Sequence, residues 1–267
     1  MSIRPVLRLP ENKLGRDFIV GDLHGGFRIL KQALINHCFD PFADRLFIAG
    51  DTIDRGPDSE HVDSLLERPW VYCVRGNHED MLMELGHAAA RVDKSLLEPN
   101  GMEWFKAINQ EKRDKLLNIF ASLPLAIEIE TPRGTVGVVH ADVPKGMDWS
   151  TFTAKLEQGC ERTIHTALWS RLRLESKDAS GVKGIGRLFV GHTIQSDGPK
   201  RLGNVYYIDT GSFLTEFSHT KGSLTFASLA CETQVLCSNK EKQEIDRIWS
   251  KTTNPTVKSK PFGNYSF

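Results

Sequence analysis

Gly50-Asp51-Thr52-Ile53-Asp54-Arg55-Gly56, which follows the apolar run Leu46-Phe47-Ile48-Ala49 and precedes Pro57, is the stretch on which the reading of this chain turns. It puts two carboxylates and a guanidinium close together at the end of a strand-like segment. The flanking glycines let the backbone turn sharply and come near a ligand, while Asp51, Asp54 and Arg55 offer a metal-type ligand, a polar orienter and a phosphate-type fork. That mixture suits a metal-assisted reaction on a phosphorylated substrate. Taken alone, the heptad is equally a Gly/Asp-rich surface turn closed by Pro57. Its neighbours decide.

The same form stands on both sides of it. Before the heptad, the apolar run from Asp17 to Val20 enters Gly21-Asp22-Leu23-His24-Gly25-Gly26, and Ile29, Leu30, Ala33 and Leu34 then recur at helical spacing. After it, Val62, Leu65 and Leu66 mark a helix that Pro69 ends. Val71-Tyr72-Cys73-Val74 then enters Arg75-Gly76-Asn77-His78-Glu79, with Met81, Leu82 and Leu85 on the next helical face. The steps from Asp22 to Asp51 and from Asp51 to Asn77 are 29 and 26 residues, close to the length of a strand–helix–strand unit. Parallel strands joined in this way place their C-terminal loops along one edge, so the three polar turns are expected to share it.

The second half is richer in strands. Leu125 to Glu130 alternates, and after the turn at Pro132-Arg133-Gly134 the run Val136-Gly137-Val138-Val139 leads into His140-Ala141-Asp142, which predicts a hairpin. Leu188-Phe189-Val190 likewise ends at Gly191-His192-Thr193, and Val205 to Ile208 and Leu224 to Ala227 read as further strands. Met102 to Leu123 reads as mainly helical, with the charged stretch Glu111 to Lys115 as a solvated face. The expected fold is α/β, with two central mixed β-sheets flanked by helices.

Composition sets the outer bounds. With 34 basic and 34 acidic residues among 267, the balance gives no bulk attraction to nucleic acid or to an anionic membrane. No signal-peptide-length apolar core or bilayer-length apolar window is evident, and a cytoplasmic protein is expected. The five cysteines, Cys38, Cys73, Cys160, Cys231 and Cys237, are odd in number and form no CxxC pair, which suggests buried free thiols.

Asp22, His24, Asp51, Asn77, His140 and His192 all fall at or just after the ends of apolar runs, so the fold brings six potential ligands towards one edge. Oxygen and imidazole donors without thiolate suit Mn, Fe or Zn. Two carboxylates about 4 Å apart repel by roughly 4 kcal/mol at an effective dielectric near 20, a penalty that cations reverse. Asp51, central in the series, is the candidate bridge between two ions of the kind that clamp phosphoryl displacement. His192 by itself is as readily a structural hydrogen-bonder, and the other motifs are what enlist it. His37, His61, His87, His165 and His219 lack such surroundings.

The ordered set Gly-Asp-Leu-His-Gly, Gly-Asp-Thr-Ile-Asp-Arg-Gly, Arg-Gly-Asn-His-Glu, Val-His-Ala-Asp and Gly-His-Thr resembles the PPP family of metallophosphoesterases, and within it the bacterial and phage serine/threonine protein phosphatases of the lambda type. The likeness runs from about Phe18 to Leu229 and includes Trp169-Ser170-Arg171 and Tyr207-Ile208-Asp209-Thr210-Gly211. The resemblance implies the calcineurin-like metallophosphoesterase fold. It also implies that Asp22, His24 and Asp51 hold one metal and that Asp51, Asn77, His140 and His192 hold the other, with Mn as the usual ion and Fe or Zn as alternatives. It further makes His78 the general acid oriented by Asp54, with Arg55, Arg171 and Asn77 at the phosphate and Arg75 as a third arginine. Direct attack of water on phosphoserine, phosphothreonine or phosphotyrosine in a phosphoprotein is the expected reaction. A dinucleoside polyphosphate hydrolase and a non-catalytic phosphoprotein-binding module are the alternatives.

This sets a catalytic domain at residues 14–230 and a C-terminal extension at 231–267, with a short leader ahead of the first strand. Within the extension, Lys240 to Trp249 has the spacing of a short helix with Ile245, Ile248 and Trp249 on one side. No partner other than a phosphoprotein is implied, neither nucleic acid nor membrane, and no oligomeric state.

Overall fold

The computed structural model describes residues 4–86, 97–217 and 222–229. The expected extension, its helix, His87, His219, Cys231 and Cys237 lie outside the described residues. Ten strands make two sheets among those residues. The first has four strands in the order β10 (Phe226–Ser228), β2 (Asp17–Val20), β3 (Arg45–Ile48) and β4 (Val71–Cys73). The second has six, in the order β1 (Val6–Leu9), β5 (Ala126–Ile129), β6 (Val136–Val139), β7 (Arg187–Val190), β9 (Val205–Tyr207) and β8 (Lys200–Leu202).

The three repeated units form the parallel core of the smaller sheet. Ile19 lies opposite Phe47, and Phe47 opposite Tyr72, with both strand pairs parallel. The helices α1 (Phe27–Asn36), α2 (Val62–Leu66) and α3 (Asn77–Leu85) follow the three polar turns in the expected order. Residues 126–139 form the antiparallel hairpin, with Ile127 opposite Val138. β6, β7 and β9 then run parallel to one another.

Strand periodicity explains the layering, because successive side chains point to opposite faces. Phe18 and Val20 of β2 join Leu30 and Leu34 of α1 and Phe120 of α5 (Gln110–Ser122) in one apolar cluster. Ile19, between them, packs with Phe47, Ile127, Val138 and Phe189 in the layer where the two sheets meet. On the far side, Leu188 and Val190 pack with Phe152 and Leu156 of α6 (Trp149–Glu157) and with Leu168 of α7 (Glu161–Trp169). Both sheets are therefore buried on two faces, and the order of layers is helix, sheet, sheet, helix. Burying each such side chain contributes about 1.5–3 kcal/mol before entropy is counted.

Two expectations need correction. The stretch read as a leader supplies β1, which pairs in parallel with β5, Val6 opposite Ala126 and Leu9 opposite Ile129. Pro5 and Pro10 at its ends, with Arg4 and Arg8, hid a strand whose Val6 is buried. Free thiols hold for Cys73 and Cys160, whereas Cys38 is disulfide-bonded. Scattered spacing could not show which thiols the fold brings together. Among the described residues no helix is long and apolar enough to cross a membrane.

Candidate metal centre

The turns after β2, β3, β4, β6 and β7 meet at one edge of the sandwich, and their backbones are bent unusually to do so. Seven non-glycine residues among those described have positive φ, and five of them are His24, Asp51, Asp54, Arg55 and His192, at φ 45–70°. Such conformations cost about 1–3 kcal/mol each and persist where the surroundings over-determine them. Close approach is what they achieve. A side chain at Gly76 would collide with the Asp51 carboxylate, and one at Gly191 with that of Asp22.

Asp51 sits at the centre. Its Oδ1 accepts the His78 backbone N–H at 3.0 Å, at the positively polarised start of α3. Its Oδ2 faces Nε2 of His140 at 3.5 Å, of His24 at 3.6 Å and of His78 at 3.9 Å. The turn that carries it is tied to α3 by Glu79, whose fully buried carboxylate accepts from the backbone N–H groups of Asp51, Thr52 and Gly76 and from the Thr52 hydroxyl. Sequence reasoning placed Glu79 in its motif without giving it this task, since its partners lie 27 and 28 residues away.

Each ligand-type histidine is fixed from behind by a carbonyl, which sets its tautomer. His140 donates Nδ1–H to Ala49 at 2.7 Å, and His24 donates Nδ1–H to Ile53 at 2.8 Å. His192 donates Nε2–H to Trp169 at 3.2 Å. The nitrogens that face inward are therefore lone pairs. His140 Nε2 and His192 Nδ1 lie 3.2 Å apart, and each is 2.8 Å from Asn77 Oδ1. With Asp51 Oδ2 they make four converging acceptors with no hydrogen among them, an arrangement that a cation satisfies. His24, Asp51 and His78 form a second group of donor atoms close enough to hold an ion, and Asp51 belongs to both groups. The carboxylate of Asp22 is turned onto the His192 backbone N–H, at 3.0 and 3.1 Å to its two oxygens. It thereby joins the first polar turn to the last.

Burial sets the electrostatics. It pushes the carboxyls of Asp22, Asp51, Asp54 and Glu79 above their usual range, and Asp209 is raised to about 6. It pushes the imidazoles of His24 and His78 down, His140 to about 4 and His192 to about 2. All of these shifts favour neutral forms, and a bound cation would reverse them for the carboxylates.

The remaining expected residues divide between mouth and wall. Arg55 and Arg171 are exposed, and Arg55 reaches Nε2 of His24 at 2.9 Å and of His78 at 3.0 Å. The Phe213 ring lies under its guanidinium at 5.2 Å and edge-on to His24. His78 donates Nδ1–H to Asp54 at 2.6 Å, and Trp104 donates to the other Asp54 oxygen at 2.7 Å. Arg75 is placed elsewhere, 3.3 Å from Asp80 and 3.6 Å from the Met83 sulfur. Asp142 is paired with buried Arg173 at 2.8 Å. Trp104 and Phe213 carried no signal in the sequence, because each meets the site from outside the polar motifs.

Residues 18–210 match the calcineurin-like phosphoesterase family. Serine/threonine-protein phosphatase 1 of Salmonella typhimurium is 36% identical over 202 residues, which cover 73% of this chain and 86% of that protein. The symmetrical bis(5'-nucleosyl)-tetraphosphatase of Pseudomonas putida is 32% identical over 135 residues, 48% of this chain and 42% of its own. Among solved structures, a yeast protein serine/threonine phosphatase superposes with a TM-score of 0.51 at 15% identity, covering 86% of this chain and 85% of its own, a likeness of fold.

Proposed function

The chain belongs to the calcineurin-like phosphoesterase family, and from that premise we propose that it is a metal-dependent protein phosphatase acting on phosphoserine and phosphothreonine monoesters. The observation that carries the reading is the convergence of Asp51 Oδ2, Asn77 Oδ1 and His192 Nδ1 within 3.5 Å of His140 Nε2. Asp22, His24 and Asp51 would hold one divalent ion, and Asp51, Asn77, His140 and His192 the other. Mn is the first choice, with Fe or Zn as alternatives. When bound, the ions supply the Lewis acidity that makes water a nucleophile near neutral pH.

The chain's own groups do the rest. Arg55 and Arg171, exposed at the mouth, offer planar donor forks to the non-bridging phosphate oxygens and steady their charge as it builds. Arg55 would exchange the two imidazoles for phosphate oxygens. Once Arg55 has left it, His78 would take up a second proton on Nε2 as an imidazolium that Asp54 holds through Nδ1–H, and would pass that Nε2 proton to the leaving oxygen. Asn77 would serve both the metal, through Oδ1 beside His140 and His192, and the phosphate. Arg75, held at Asp80, would reach phosphate only by giving up that pair. Phosphoproteins are the substrate class that the Salmonella relative's name supports, and the cytoplasm is the setting we assign.

The test is a side-by-side assay. Protein stripped of metal and reloaded with Mn should show a higher kcat/KM on a phosphoserine peptide than on diadenosine tetraphosphate, with a phosphotyrosine peptide as the third arm. The reverse order would give the chain the activity that the Pseudomonas relative's name describes.

A further inference from the structure

The segment after residue 97 carries none of the motifs, yet it closes on the central heptad at two points, Arg55 and Asp54. A short helical turn, Glu98–Asn100, leads through Gly101 into α4 (Glu103–Ala107). The Gly101 carbonyl accepts the Arg55 backbone N–H at 3.2 Å. Gly101 lies at φ 69°, so close that a side chain there would meet the Arg55 nitrogen at 2.5 Å. Trp104 donates its indole N–H to Asp54 Oδ1 at 2.7 Å, while its ring packs edge-on against fully buried Phe105.

The two residues so held are those whose backbone most needs holding. Asp54 and Arg55 are consecutive, non-glycine and at φ 70° and 66°. Asp54 is fully buried, and its other oxygen takes the His78 Nδ1–H at 2.6 Å. A carboxylate with a donor on one oxygen can still turn about its Cβ–Cγ bond; a second donor from the opposite side fixes its plane.

We infer that Trp104 is a positioning residue for protonation of the leaving group: its indole N–H fixes the plane of the Asp54 carboxylate and thereby aims His78 Nε2. The inference rests on the phosphomonoesterase reading above. A bystander Trp104, present merely to satisfy a buried oxygen, would affect all substrates alike. A positioning Trp104 matters in proportion to the need for a proton. Loss of one hydrogen bond to a charged group corresponds to about ten- to a hundredfold in rate.

Trp104→Phe, Asp54→Asn and the double variant, each full-length and Mn-loaded, test this. Trp104→Phe should lower kcat on a phosphoserine peptide by about ten- to a hundredfold with KM changed by less than about twofold. Hydrolysis of 4-nitrophenyl phosphate, whose leaving group needs no proton, should fall by less than about threefold. The double variant should be no slower than Asp54→Asn. An equal loss on both substrates, or losses that multiply in the double variant, would overturn the inference. A readout on the resting protein separates it from the functional reading. In 15N-labelled protein the indole N–H signal that Trp104→Phe removes should lie downfield and move in Asp54→Asn. If that signal stays in place the link is refuted even in an active phosphatase, and if it moves the link stands even where the peptide is not hydrolysed.

Discussion

The two sheets reach the same centre by different means. The turns after β2, β3 and β4 bring the carboxylates, an amide and the His24 imidazole, and they do it with glycines, four of the five left-handed residues and the buried Glu79 brace. The turns after β6 and β7 bring one imidazole each, backed by the Ala49 and Trp169 carbonyls. A short carboxylate has little reach, so its backbone must be carried to the ion, whereas an imidazole projects far enough to be lowered onto a site built by others. That contrast explains why one half is dense in motif and the other sparse.

The carboxylate half should be the more sensitive where the two halves meet. Asp51→Asn should remove both ions and leave hydrolysis near background, since the atom shared by both groups becomes part of a neutral amide. Metal analysis finding two ions still bound would show that the histidine half can hold its ion unaided. His78→Asn separates ligand from acid on the same helix. It should keep both ions and lower kcat by about 10² to 10⁴ on a phosphoserine peptide, with a smaller loss on an activated aryl ester. Equal losses on the two substrates would remove His78 from the proton-donor role.

A carboxyl and an imidazole buried at the centre should also carry opposite pH signatures in metal-free protein. Asp209, which follows β9 and is raised from 3.8 to about 6 by burial, binds more proton folded than unfolded in that window, so its contribution falls as pH rises through it. His140, lowered from 6.5 to about 4, binds less proton folded than unfolded, so its contribution grows as pH rises from about 4 to 6.5. Relative to the parent, Asp209→Asn should therefore gain stability between pH 4.5 and 6.5 and His140→Gln should lose it, each by at most about 3 kcal/mol. Melting temperatures across that range give the sign, and parallel trends would erase the distinction.

How much of this the sequence disclosed follows the same division. The repeated strand–turn–helix units and the hairpin were legible because each is written within a few neighbouring residues, and with them the shared edge at which the polar turns meet. What was hidden depends on long-range pairing. Trp104 meets Asp54 across 50 positions, and Phe213 reaches Arg55 and His24 from a turn near the far end of the core. β1 resembled a leader because its alternation is masked by Arg4, Arg8 and two prolines. Arg75, which the family resemblance offers as a third phosphate arginine, has its guanidinium beside Asp80 in the fold, a pairing that its own motif does not reveal.

The five left-handed residues have a meaning for selection as well as for shape. Glycine would relieve the strain at His24, Asp51, Asp54, Arg55 or His192, and at every one of them it would delete a side chain to which the proposed function gives a role. A library selected for thermal stability alone should drift towards glycine at these positions, and one selected for turnover should refuse it. The same five codons would thus report which pressure a population had experienced, with stability and catalysis pulling in opposite directions at single sites.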